Sequence, residues 1–345
     1  MVTTCRNPGV VSGPAGFAAV PGRASRAVPA TPPPSHVDVL VVGGGVAGLS
    51  AGLVLGRACR DTLIVDGGGQ SNLPAPAVGG LVGWEGPPEE LYGRIRGQLE
   101  LYPDVAVWDG MVTGVARRET EFTVTLADGA RIRCARVLLA TGMEYRYPEV
   151  PGLEDLWGGC VFHCPYCHGW EMRNRALGVL GGGPHEVHRA LLLREWSPEV
   201  VLLTDGEPAH GDQSARVLAE ARIPVVTTAV ERLTPRDGGL EVHFADGGSR
   251  ALEGLLVSAP MRRRTDLGLD LGVEVDEGGA VLVGEDFQTA VPGLYAAGDV
   301  ASHQGQVVLA AAAGARAGME IHAGLVDDRW GWRPDAVTAV AEGTR

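Results

Sequence analysis

Val37-Asp38-Val39-Leu40-Val41-Val42-Gly43-Gly44-Gly45-Val46-Ala47-Gly48 is the stretch that decides the fold of this chain. A β-branched apolar run ends in three glycines, and the small residues after them predict a helix over 49–58. A second apolar run, Thr62–Val65, closes on Asp66. Gly43, Gly45 and Gly48 fit the G-x-G-x-x-G pattern. The first glycine permits a tight turn, the second lets backbone approach a pyrophosphate, and the third lets helix and strand pack closely. Unpaired N–H groups at the helix start face the negative charge, and Asp66 stands where an acid accepts from a ribose hydroxyl. A glycine pattern alone marks any tight turn. Strand before, helix after and acid at the right distance make this one a dinucleotide cradle.

The unit is repeated. Leu177–Leu180 leads into Gly181-Gly182-Gly183, a helix is predicted over 185–196, and Val200–Thr204 ends on Asp205. Between the copies lie a Gly- and Pro-rich loop over 67–88, a helix near 89–101, and alternating residues 105–140 that read as a small antiparallel meander with an Asp128-Gly129 turn. Val137–Ala140 runs into Thr141-Gly142. After the second copy come a helix over 215–221, strands near 224–230, 240–244 and 255–258, a strand over 293–300 containing Gly298-Asp299, and an alanine-rich helix over 306–325. The predicted fold class is α/β: two Rossmann-like dinucleotide-binding domains, the second inserted into the first. The first domain is expected over 36–150 and 286–330, the second over 151–285, with a disordered leader at 1–35 and a tail at 331–345.

At 345 residues the chain can bury two ordinary cores, and no apolar run reaches the length of a membrane span. A net charge of −13 excludes a nucleic-acid-binding surface of the usual basic kind. The leader is rich in Pro, Ala, Gly and Ser and lacks the apolar core of a secretory signal. Six cysteines are too few for a disulfide scaffold, and only Cys160, Cys164 and Cys167 cluster. A reducing cytoplasm with one redox-active pair is the simplest compartment consistent with them.

That pair sits in His163-Cys164-Pro165-Tyr166-Cys167-His168. Two thiols at this spacing can close a readily reduced disulfide. Cys160, Cys164 and Cys167 also spell C-x3-C-x2-C, a spacing that suits an iron–sulfur cluster, and two cysteines with a flanking histidine suit zinc. Either would block thiol redox cycling, so the metal-free pair is the preferred reading. Each thiol exchange needs a thiolate, and His168, with His163 as an alternative, is positioned in sequence to supply a base. His303 is a more distant candidate.

With Ala140-Thr141-Gly142, Ala297-Gly298-Asp299 and the inserted Cys-x-x-Cys, the chain resembles low-molecular-weight thioredoxin reductases over roughly residues 36–325. Cys164-Pro165-Tyr166-Cys167-His168-Gly169-Trp170-Glu171 is similar to the thioredoxin-reductase-like dithiol oxidases of gliotoxin and holomycin biosynthesis, whereas the reductases usually place aspartate where His168 stands. The resemblance implies non-covalent FAD held by Gly43, Gly45, Gly48, Asp66, Thr141, Gly142, Gly298, Asp299, Gln306 and, in the loop, Asn72; Asn72 reads equally well as a turn residue. It also implies Cys167 as the flavin-proximal sulfur and Cys164 as the exchanging one. A homodimer follows by the same analogy, with the alanine-rich stretch 309–318 offering a close helix contact.

The second cradle departs from its pattern. Glu186 replaces the third glycine, and Thr204-Asp205-Gly206-Glu207 stands where arginines would hold an NADPH 2′-phosphate. NAD(P)H binding is therefore doubtful, with a weak NADH site as the alternative. The expected function is oxidation of a small-molecule dithiol to its intramolecular disulfide, electrons passing through Cys164/Cys167 and FAD to O2 to give H2O2. An NAD(P)H-dependent thioredoxin-disulfide reductase and a flavoprotein redox sensor are the competing readings.

Overall fold

The computed structural model describes residues 32–208 and 211–332. Positions 1–31 of the expected leader and 333–345 of the expected tail lie outside the described residues. The chain forms two compact units, each assembled from separated segments.

One unit contains 32–70, Glu90–Glu144 and 261–332. Its central strand, His36–Val42, pairs in parallel with Thr62–Asp66 on one side and Arg131–Leu139 on the other. Successive residues of these strands feed opposite faces: Leu40, Val42, Leu63 and Leu139 enter one core, Val39, Val41, Ile64 and Leu138 the other. A parallel sheet covered on both faces explains why these strands read as continuous apolar runs. Arg131–Leu139 is shared: its first half pairs antiparallel with Glu121–Leu126, and its last three residues pair in parallel with Leu294–Ala296.

Two expectations need correction here. Val105–Asp109 is no part of the meander; it lies parallel to Thr62–Asp66, because the helix Pro88–Leu99 makes a crossover that returns the chain in the same direction. The true antiparallel segment is Val112–Arg118, Glu121–Leu126 and the start of Arg131–Leu139. The unit boundaries also differ from those expected. Residues 261–285 belong with the first cradle, since Val273 and Val281 enter its core and Val281 N–H donates to the Val300 carbonyl at 2.8 Å. Ser71–Glu89 and 145–150 belong with the second copy.

The other unit contains Ser71–Glu89 and Tyr145–Pro260. Its sheet runs, edge to edge, Val225–Val226, Val200–Leu203, Leu177–Leu180, Gly254–Val257, Val161–Phe162, all parallel. The helix Pro184–Leu193 packs on it. The single strand expected at 224–230 is split: Val225–Val226 closes the parallel sheet and Val230–Arg236 opens a separate antiparallel one with Gly239–Phe244 and Ser249–Leu252.

The last helix, Val307–Trp330, lies against the cradle helix Val46–Arg57. Its buried residues are Gly314, Ala317, Gly318 and Ile321. Small residues of this stretch pack closely within the unit: a Cβ on Gly314 would overlap the Ala47 carbonyl, and one on Gly318 would press to 3.1 Å from the Ala51 carbonyl. Gly314→Ala should lower stability by about 1–3 kcal/mol, since neither backbone can retreat without opening the core. Gly97→Ala, on a helix with open space at that position, should instead be neutral or stabilising by up to about 1 kcal/mol. Thermal unfolding of both variants tests the packing.

Candidate functional site

The first cradle is built by close approach. Gly43 has φ +116°, and a Cβ there would overlap the Ala140 carbonyl. A Cβ on Gly48 would overlap the Gly43 carbonyl, so the helix can start directly on the turn. Gly45, the N-cap, has open space where a side chain would begin. No side chain caps the helix and no acid lies in its first turn. Its N–H groups are thus available to an anion. The Thr141 hydroxyl is buried without a hydrogen-bond partner among the described residues, and Gly142 takes φ +65°. Asp66 is buried at the end of its strand; its carboxylate accepts from Gly68 N at 2.9 Å and Gln70 Nε2 at 3.2 Å, and is paired with Arg96. Asp299 opens a short 3-10 turn after Gly298, and burial pushes its carboxyl up to about 6 against the opposing charge of Arg264. Gln306 occupies the N-cap position of the last helix, with no side-chain capping hydrogen bond. An open, uncapped helix start with an orphaned buried hydroxyl beside it fits FAD.

The second cradle has the same backbone and a different occupant. Gly181 takes φ +117° and Gly183 is the N-cap. Glu186 folds back over them: its Cγ lies 2.7 Å from where a Gly181 side chain would begin, and its Oε2 2.6 Å from the corresponding point of Gly183. Ser258 Oγ donates to Glu186 Oε1. Arg189 Nη1 donates to the same Ser258 Oγ at 3.4 Å. Arg189 is 9% exposed, and burial lowers its pKa while the Glu186 charge raises it. Asp205, the candidate ribose acceptor, accepts from Val230 N, at the start of the Val230–Arg236 strand, at 2.7 Å. The volume beside these glycines is filled by a carboxylate of the chain itself.

Cys164 and Cys167 are joined in a disulfide with a Cα–Cα separation of 5.3 Å. The turn is set by Pro165 at the first position of a four-residue helix, a position where proline costs no hydrogen bond. Cys167 N donates to Cys164 Sγ at 3.2 Å, which would stabilise a thiolate at Cys164 after reduction. The 71–89 segment backs this turn so closely that a Cβ on Gly79 would stand 2.5 Å from the Cys167 carbonyl. Cys160 is buried in a hydrophobic core and takes no part in the disulfide.

The two histidines differ. His163 is held between Tyr145 (ring centroids 4.1 Å) and Trp157 (5.5 Å), and burial, the nearby His168 and Arg189 lower its pKa to about 4. It is a neutral, stacked ring. His168 lies on Phe162 at 5.3 Å, and its Nδ1 is 3.4 Å from the Cys164 carbonyl. With Nδ1–H donating there, Nε2 carries the lone pair; that nitrogen is buried and has no partner among the described residues. Burial lowers this pKa too, partly offset by the Cys164 carbonyl and Glu171.

The structure gathers Gly43, Gly45, Gly48, Asp66, Thr141, Gly142, Gly298, Asp299 and Gln306 in one unit, and Cys164, Cys167 and His168 in the other. Asn72 belongs to the second group, where its carbonyl closes a turn with Ala75 N at 3.0 Å. His303 is in the first unit and pairs with Asp276 at 2.7 Å. Sequence reasoning missed Arg96, Arg189 and Ser258. Arg189 carried a signal, as it lies three positions after Glu186 on one helix face; Ser258 did not.

A family model described as pyridine nucleotide-disulphide oxidoreductase matches residues 37–317. Thioredoxin reductase tcpT of Claviceps purpurea is 31% identical over 76% of this chain and 86% of its own length. Thioredoxin reductase sirT of Leptosphaeria maculans is 29% identical over 84% and 94%. Among solved structures, HlmI aligns with a TM-score of 0.82 at 35% identity, covering 90% of this chain and 98% of its own. An oxidoreductase from Agrobacterium tumefaciens aligns with a TM-score of 0.80 at 36% identity, covering 84% and 99%. The chain therefore belongs to the pyridine nucleotide-disulphide oxidoreductase family and is an FAD-binding oxidoreductase acting on sulfur groups.

Proposed function

We propose that this protein oxidises a small-molecule dithiol to its intramolecular disulfide and passes the electrons to O2. The observation that carries this reading is Glu186, lodged against Gly181 and Gly183 and held by Ser258, where a reductase would receive the pyrophosphate of its nicotinamide nucleotide. With that entrance filled, electrons must enter from a thiol. The Cys164–Cys167 disulfide is the acceptor at hand.

In the proposed cycle a substrate thiolate attacks Cys164 Sγ, and the Cys164–Cys167 bond breaks with the electron pair leaving on Cys167. The second substrate thiolate attacks its partner sulfur and expels Cys164, whose departing thiolate accepts from Cys167 N. Two protons and two electrons have then moved from substrate to enzyme, and the substrate leaves as a disulfide. FAD supplies the two-electron exchange between the reduced pair and O2, which becomes H2O2. His168 Nε2 is the proposed acceptor for the substrate thiol proton, oriented by Nδ1 on the Cys164 carbonyl. The names of tcpT and sirT support the second reading, a thioredoxin reductase; it requires the cradle that Glu186 fills.

Three outcomes test the proposal. Under anaerobic conditions a model dithiol should bleach the flavin absorbance and NADPH should not, with peroxide appearing when air is admitted; rapid bleaching by NADPH would establish the reductase instead. Cys164→Ser should retain FAD and lose turnover, and normal turnover would move the exchanging role elsewhere. Because burial holds the His168 pKa below its usual value, the neutral base persists as pH falls through about 6.5, and the rate should decline only at lower pH. His168→Gln should slow oxidation by about 100-fold or more near neutrality and recover toward pH 9, where substrate thiols of pKa about 8.5 ionise unaided. A pH-independent defect would remove His168 from the proton transfer.

A further inference from the structure

The hydroxyl that holds Glu186 in the second cradle also holds a buried cation. Ser258 Oγ donates to Glu186 Oε1 and accepts from Arg189 Nη1 at 3.4 Å. Arg189 is buried, and its Nε has no hydrogen-bond partner among the described residues. It meets Glu186 through that hydroxyl and not in a direct ion pair. A guanidinium held this way is costly unless its charge serves a purpose.

The strand register puts this cation beside the thiol turn. Gly254–Val257 lies between Leu177–Leu180 and Val161–Phe162, all three parallel. Val257 is level with Leu180, and Leu256 with Phe162. Past those pairs the strands give way, at one edge of the sheet, to Gly181, Ser258 and His163-Cys164. Neighbouring strands are about 4.8 Å apart, so Ser258 stands between the second cradle and the cysteines. The helix carrying Arg189 is fixed to the same strands, since Val187 and Ala190 share a core with Phe162. Just past that helix, Trp196 meets Tyr166 edge-on at 5.8 Å, and a Cβ on Gly169 would stand 2.8 Å from it. The charge of Arg189 is felt at His163, directly before Cys164, where it adds to burial and His168 in lowering the pKa. Of the other charges here, Glu171 acts on His168 and Arg173 lies over the Trp170 ring at 3.9 Å. The 71–89 segment behind Cys167 carries no charge before Glu85.

We propose that Arg189 is the cation that poises the Cys164–Cys167 couple, stabilising the thiolate of the reduced pair, and that Glu186 moderates it through Ser258. Neither is a catalytic residue; both act on the sulfurs through space. A nearby positive charge lowers a thiol pKa and favours the reduced form, and a negative charge does the reverse. The two residues should therefore move the couple in opposite directions, which a packing role would not do. This role presupposes the redox-active pair of the proposed function, but neither O2 nor a small-molecule substrate.

The test is equilibration of the FAD-loaded enzyme with glutathione in the absence of oxygen. Two glutathione thiols give up two electrons and two protons, becoming glutathione disulfide, as the Cys164–Cys167 bond opens to a dithiol. The open fraction is read by alkylation and the mass of the peptide carrying both cysteines, and thiol ionisation by the pH dependence of alkylation. Arg189→Gln should shift the equilibrium about tenfold toward the disulfide and raise the lower thiol pKa by about one unit. Glu186→Gln should shift both the other way. Arg189→Lys, which keeps the charge, should stay close to the unsubstituted enzyme. Shifts of the same sign in Arg189→Gln and Glu186→Gln, or none in either, would overturn the proposal. If Arg189→Gln does not fold, an unchanged equilibrium in Glu186→Gln would overturn it as well. A disulfide that neither glutathione nor a model dithiol opens in any variant would overturn the redox-active reading itself, and this role with it.

Discussion

The first turn of an α-helix presents N–H groups that no residue of the helix can satisfy, and this chain contains that problem twice, in two glycine turns of the same backbone shape. At Gly45 the helix start is uncapped and open. At Gly183 a carboxylate from the helix's own first turn covers the glycines and is tied down by Ser258. The two cradles diverge through the residue at the third glycine position, Gly48 in one and Glu186 in the other. Everything proposed about the direction of electron flow depends on this difference.

The proposed chemistry of the thiol turn depends on a second, smaller asymmetry. Two histidines flank the cysteines, and sequence favours His168 only through its place after the second cysteine. Stacking between Tyr145 and Trp157 makes His163 a packed, neutral ring, whereas His168 has one nitrogen directed at a backbone carbonyl and the other buried without a partner among the described residues. A buried ring nitrogen of that kind is costly unless something uses it. Proton transfer is such a use.

Local patterns were legible from sequence. The strand–glycine–helix–acid order of each copy and the Cys-x-x-Cys turn are each written within a short stretch of chain, and Gly43, Gly48 and Gly181 lie at positive φ or at close approach to their neighbours. What could not be read depends on residues far apart in the chain. Ser258 meets Glu186 across 72 positions, and Arg264 meets Met143 across 121. The unit boundary near 261–285 was misread because that stretch is held by isolated pairings such as Val275 with Val281, which leave no periodic trace. Val105–Asp109 was misread for a related reason: alternation marks a strand with one face buried, but its direction is set by the helix before it.

Glu186 has one more consequence, concerning competition rather than shape. A side chain attached to the helix it covers competes at a high effective concentration, because it never diffuses away. A dissolved NADH or NADPH would have to outcompete it. On the proposed function, an enzyme built this way is insulated from the reduction state of the cell's nicotinamide pool. Its flux would follow only the dithiol that arrives and the oxidant that accepts its electrons, so it could go on forming disulfides while the surrounding metabolism stays reducing.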